Sequence, residues 1–187
     1  MPAMISALRS RLARFLRADD GNTTLEVVIF VPLMLTIMAA TFSLYDAFRY
    51  KSLNNKAAYT ISDALSRETD PVDDAYLDGM LEVLKFLTRS DGVYSMRVSM
   101  VRYNGTDNVY EAEWSAVRGG FDLLTSADLP NFSDRLPQLL HNERVIVVET
   151  STMYAPPFTF DALPSQEFYN FVTTRPRFAP KLVLAGT

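Results

Sequence analysis

Nineteen successive residues, Val27 to Tyr45, carry no charge, and this run constrains everything else the chain can do. Counted from Leu25 it is 21 residues long. As a helix it spans roughly 30 Å at about 1.5 Å per residue, the thickness of a bilayer's hydrocarbon core. It is apolar all round, which a surface helix of a soluble domain is not. One ionisable group, Glu26, sits just inside its N-terminal end. A carboxylate at that depth is costly and marks a candidate functional position.

The run is bracketed by unequal charge. Before it stand Arg9, Arg11, Arg14 and Arg17 against Asp19 and Asp20. After it, residues 46–187 hold 14 Lys and Arg against 19 Asp and Glu. Basic residues favour the cytoplasmic side, so the N-terminus is expected in the cytoplasm and the acidic C-terminal part outside. The margin is narrow, because Arg49, Lys51 and Lys56 follow the run closely. An acidic domain offers no basic surface for phosphate, so nucleic acid is not an expected partner. The chain has no cysteine, which removes disulfides and thiol-bound metal from consideration. Such a chain suits a bacterial envelope better than a small eukaryotic secreted domain.

Three segments follow: 1–21, a basic leader; 22–45, a transmembrane helix; and 46–187, one α+β domain outside the membrane. In the leader, Ile5, Leu8, Leu12, Phe15 and Leu16 recur at helical spacing among arginines. It reads as an amphipathic segment at the inner membrane face or as a leader that is removed, and the two are compatible. A secretory signal peptide fits poorly. Its core is shorter and uncharged, and Ala39-Ala40-Thr41 is a mediocre cleavage site. Pro32 removes one backbone donor within the span and predicts a helix kink. It is either a mild bend or a soft point where the helix repacks on leaving the bilayer.

Beyond Tyr45 the helical pattern continues, with Ala47, Phe48, Tyr50, Leu53, Ala57, Ile61, Ala64 and Leu65 on one stripe and Lys51, Asn54, Asn55, Lys56 and Asp63 between. One long helix from about Thr24 to Ser66 is predicted, ended by Asp70-Pro71. A second helix, capped by Asp73 or Asp74, buries Tyr76, Leu77, Met80, Leu81, Leu84 and Leu87. From Tyr94 the period becomes two. Tyr94 to Met100 and Val109 to Val117 predict an antiparallel hairpin around Asn104-Gly105, with Tyr110, Ala112, Trp114 and Ala116 on one face. Residues 118–143 read as loop with a short helix near 133–140. Arg144–Tyr154 is a central third strand, and the start of Phe171–Arg177 is a fourth, placed by Pro176 at an edge or a strand end.

Little in this inventory supports catalysis. His141 is the single histidine, read as a solvated loop residue. Glu111 and Glu113 read as a solvated strand face. The acids from Asp70 to Asp78 match no calcium loop, and no glycine-rich phosphate loop is present. The expectation is a non-enzyme with no cofactor and no metal.

The order Gly21-Asn22-Thr23-Thr24-Leu25-Glu26 before an apolar helix resembles type IV prepilins and pseudopilins. Pro32, six residues past the glutamate, and Arg175-Pro176-Arg177 narrow the resemblance to TadE/TadG-like pilus assembly proteins of tight-adherence (Flp-type) systems. It covers chiefly residues 9–45. The resemblance implies a prepilin peptidase as partner, cutting between Gly21 and Asn22, and Glu26 as the fifth mature residue, acting in assembly. It further implies a bacterial inner-membrane protein whose partners are the lipid bilayer, other pilins or pseudopilins and the pilus machinery. Many pilins begin the mature chain with phenylalanine, where this chain has Asn22. The large distal domain points to a minor pseudopilin rather than a major Flp pilin. An unprocessed TadG-like periplasmic scaffold is the alternative, with a tethered periplasmic enzyme behind both. Residues 22 and 26 share a helix face, so a new amine on Asn22 could neutralise Glu26 within one subunit or on a neighbour. Otherwise Glu26 lies near the headgroups and reaches water.

Overall fold

The computed structural model describes residues 11, 13–15, 22–89, 92–158 and 164–186; of Asn22 it describes the backbone. Within these, the protein is α+β. Helix α1 covers Asn22–Arg67 and helix α2 covers Asp74–Thr88. Four strands follow: β1, Tyr94–Asn104; β2, Val109–Arg118; β3, Arg144–Tyr154; and β4, Gln166–Thr174. The chain divides into two compact units, Met1–Phe42 and Ser43–Thr187.

In the first unit, α1 is exposed almost throughout, with large apolar side chains from Leu25 to Phe42 open on every side of the helix. Among the described residues this is the one helix long and apolar enough to cross a membrane. The helix continues through Pro32. The Thr36 and Thr41 hydroxyls donate to the carbonyls of Pro32 and Ile37, each at 2.8 Å, so neither is left unpaired on an apolar surface. The leader lies largely outside the described residues.

In the second unit the four strands form one antiparallel sheet of order β2-β1-β3-β4. On one face, Ala57, Ile61 and Leu65 of α1 and Leu77 and Leu84 of α2 meet Met96, Val98, Met100, Ile146 and Val148. Burying each large aliphatic side chain contributes about 1.5–3 kcal/mol. On the other face, Leu124, Leu129, Leu136 and Leu139 of the long β2–β3 connection cover Val101, Val145 and Val147. The sheet is thus coated by helices on one side and by a loop on the other. Three serines pin that loop: Gly120 N–H donates to Ser95 Oγ at 2.9 Å, Leu124 N–H to Ser115 Oγ at 3.0 Å, and Ala112 N–H to Ser126 Oγ at 2.9 Å.

Several expectations hold in detail. Asp73 caps α2, its side chain accepting from Tyr76 N–H at 2.8 Å. β3 is central, and β4 is an edge strand that ends at Thr174, before Pro176, although it starts at Gln166 and not at the expected Phe171.

Others need correction. The pairing of β1 with β2 slips between Met100 and Val101, leaving Glu113 as an extra residue in β2. A bulge of one residue turns the following side chains over. Tyr110 and Ala112 therefore pack on the loop side while Trp114 and Ala116 pack on the helix side, so the expected single face is split. Phe48, expected on the buried stripe of α1, is 65% exposed, whereas Asn54, expected among the polar positions, is fully buried. Asn54 tolerates this because its amide donates to the Tyr50 carbonyl at 3.0 Å and accepts from the Thr152 hydroxyl at 2.6 Å. The short helix expected near 133–140 is absent; a 3₁₀ turn covers Leu129–Phe132 instead. Pro130 fixes its start, and Pro137 follows in a segment without regular structure.

Candidate functional site

The candidate site from the sequence is the head of the apolar helix. Gly21 lies outside the described residues. Asn22 is the first residue of α1, and Glu26 stands one turn further on. Glu26 is exposed, flanked by Leu25 and Val27 at 58% and 52% exposure. A carboxylate is thus held on a surface that is otherwise apolar, four residues from the position a cut after Gly21 would turn into an amine. Pro32 sits within the same apolar stretch, with no backbone donor for the carbonyl of Val28.

Glu111, Glu113, Asp74, Asp78 and His141, also singled out in the sequence, have structural partners. Glu111 accepts from Arg102, and Arg144 donates to both oxygens of Glu113 at 2.9 and 3.0 Å. They form an ion-pair network on the sheet surface, with Glu113 exposed as expected and Glu111 half-buried. A hydrogen bond from Asn104, then one from Arg102, hold the Glu111 carboxyl below its ordinary value. Asp74 and Asp78 both pair with Arg118, which ties the start of α2 to the end of β2. His141 is exposed in a turn, and its Nδ1 accepts from Gly105 N–H at 3.0 Å. No group of three metal-ligating side chains occurs among the described residues.

Arg175-Pro176-Arg177 acquires a clear physical task. The Arg177 backbone N–H donates to the Ser66 carbonyl at 2.8 Å, one of the orphan acceptors at the end of α1. The Arg177 side chain reaches Asp63 at 3.0 Å, and Arg175 reaches Glu143 at 2.9 Å. The element closes the C-terminal end of α1.

Sequence reading missed a buried ion pair. Arg97 on β1 and Glu149 on β3 are directly opposite in register and 9% and 1% exposed. Arg97 Nε and Nη2 donate to the two Glu149 oxygens at 2.6 and 2.7 Å, and Tyr169 on β4 donates to the same carboxylate at 2.5 Å. Arg97 Nη1 also donates to the Asp122 carbonyl at 2.7 Å, so the pair anchors the loop that covers it. Burial first, then the bond to Glu149, push the Tyr169 phenol well above its ordinary value. With three donors already on it, this carboxylate serves as a pin and not as a free base. The alternation of Arg97 with apolar neighbours marks a strand face, but no local signal says that this face is covered.

A second polar cluster lies where α1 enters the folded unit. The Tyr154 hydroxyl donates to Asp46 at 3.0 Å and to the Ser43 carbonyl at 3.4 Å. Tyr154 also packs on Tyr50 and Phe168, with ring centroids 5.1 and 5.8 Å away. Burial first, then the Asp46 contact, push its phenol up to about 12. Beside it opens a cavity of about 460 Å³ bordered by Arg49, Leu53, Arg89 and Met153. Set against protein-family models, curated proteins and solved structures, the chain matches none of them.

Proposed function

We propose that the chain is a minor pseudopilin of a tight-adherence (Flp-type IVb) pilus. In this reading it is a single-pass protein of the bacterial inner membrane, its N-terminus cytoplasmic and its α+β domain periplasmic. Prepilin peptidase cuts after Gly21, and the new amine on Asn22 meets Glu26 of its own or a neighbouring chain during assembly. The observation that carries the proposal is Glu26, one turn into a helix whose large apolar side chains are otherwise exposed. An unneutralised carboxylate in lipid costs a few kcal/mol, and an amine one helical turn away offsets that cost. Ala57, Ile61 and Leu65 of the same helix lie in the core of the second unit. This supports a part that presents a folded domain beyond the membrane.

N-terminal sequencing of the membrane-extracted protein, from a host with prepilin peptidase, should begin at Asn22. An intact Met1 would end the processing claim and favour the unprocessed TadG-like scaffold, which should also be missing from sheared pili. Glu26→Gln should leave cleavage in place and abolish incorporation into pili. Wild-type piliation in that variant would remove the assembly role assigned to Glu26.

A further inference from the structure

We propose that the 460 Å³ cavity beside Tyr154 is a binding site for the phosphate headgroup of an anionic phospholipid, held by Arg49 and Arg89. The proposal rests on the membrane reading of the apolar helix and is independent of the pilus assignment. All the lining residues belong to the Ser43–Thr187 unit. Asp46 and Arg49 border the cavity within four residues of Tyr45, where the uncharged run ends. A headgroup at the boundary of the bilayer is the anion that a cavity at this point of the chain would meet.

The charge of the cavity favours an anion. Two arginines line it, and Asp46 is the one acid among the described lining residues. That acid is already engaged, accepting from Tyr154 at 3.0 Å and standing 4.0 Å from Arg49. Among the described residues no ion pair holds the Arg89 guanidinium. Arginine matches phosphate oxygens through its planar fork. Around the arginines stand apolar groups suited to the acyl-glycerol region: half-buried Leu53 and Met153, the latter 44% exposed. Tyr45, 66% exposed at the end of the run, is an amphipathic ring of the kind that settles at headgroup depth.

Arg89 carries a further sign. It ends α2 in the left-handed conformation, φ 52° and ψ 41°, a position that glycine or asparagine fills at low cost. Its backbone N–H closes the helix by donating to the Lys85 carbonyl at 2.8 Å, which any residue but proline could do. The backbone here would be better served by glycine, so helix capping does not account for the arginine side chain.

The test uses the full chain purified in detergent, with phosphatidylglycerol or phosphatidylcholine of matched acyl chains added in equal amounts. Retained lipid is read by native mass spectrometry. The wild type should keep phosphatidylglycerol preferentially, and Arg49→Gln and Arg89→Gly should each lower that preference about fivefold, the effect of one arginine near an anionic surface. Arg89→Gly should also keep or raise the thermal midpoint, because glycine suits the left-handed position, so lost binding in it cannot be ascribed to lost folding. Equal retention of the two lipids by the wild type, or an unchanged preference in Arg89→Gly, would overturn the proposal. So would displacement of the lipid by inorganic phosphate at equal concentration, which would make this a site for soluble anions. A carbonate wash of membranes tests the underlying reading separately: release of the wild-type chain would remove the membrane span, whereas a retained chain without lipid preference would remove only the headgroup site.

Discussion

Residues 23–42 and 43–67 belong to one helix, but their surroundings are opposite. In the first stretch Leu33, Met34, Ile37 and Met38 are all more than half exposed. In the second, Ala47, Tyr50, Asn54, Ala57, Ile61 and Leu65 are buried at spacings of three and four. Helical hydrogen bonding is common to both. What differs is the periodicity of polarity. An all-round apolar surface lacks a preferred face and requires an apolar medium, while a stripe requires one partner on one side. The changeover begins at Ser43, which is fully buried, two residues before the uncharged run ends. The end of a hydrophobic run and the start of a folded unit are therefore different boundaries.

This contrast can be broken experimentally. Ile61→Ala should lower the unfolding free energy of the protein in detergent by about 2–5 kcal/mol, because Ile61 fills the helix–sheet core. Ile37→Ala, at a site 57% exposed, should change it by under about 0.5 kcal/mol. Equal effects in denaturant titrations would erase the distinction between the stretches. The converse substitution, Ile37→Lys, should cost about 2.5–3.5 kcal/mol of membrane insertion and shift protein from the membrane to the soluble fraction, leaving the far half's unfolding unchanged.

A smaller effect tests how the second stretch is fastened to the sheet. Asn54→Ala should cost about 1–3 kcal/mol by stranding the buried Thr152 hydroxyl. A loss confined to a few tenths would mean that water replaces the amide.

The smallest effect concerns Tyr154, whose hydroxyl holds Asp46. Tyr154→Phe should cost about 1 kcal/mol at neutral pH. Its pH dependence has a definite sign. The phenol titrates near 10 when free and near 12 in the fold, so above pH 10 the unfolded chain loses its proton first and stability falls. That contribution is intact below pH 10 and is lost as pH rises through about 12. Tyr76 and Tyr169, also raised, act in the same direction. Thermal melts of the wild type should decline over this window, and those of Tyr154→Phe should decline less steeply.

Much of this architecture is written in local signals. Asp73 or Asp74 announces a helix start, and of the two it is Asp73 whose side chain reaches the Tyr76 amide. Alternation announces β1, a run of β-branched residues announces β3, and Pro176 correctly bars a longer β4. Arg97 and Glu149 were invisible for the opposite reason. A charged residue at an alternating position looks solvated until a loop is known to cover it, and that cover is drawn from residues 121–139, which have no strong period. Phe48 and Asn54 exchanged their expected places because helical spacing locates a stripe to within one residue. Whether phenylalanine or asparagine faces the core then depends on Thr152 of β3, which supplies one of the asparagine's two hydrogen bonds.

The amino-acid sequence by itself determined an uncharged run long enough for a bilayer, a lone Glu26 at its head behind Gly21 and Asn22, the periods of both helices and of β1, and the β-branched run of β3. These properties depend on neighbours within a turn or two of the same segment, where backbone geometry is regular. Only the tertiary structure decided that Glu113 is an extra residue in β2, that Arg97 and Glu149 are locked together, and that Arg177 closes α1. Each of these arises where segments distant in sequence meet, and packing volume and unpaired polar groups, not local periodicity, select the arrangement.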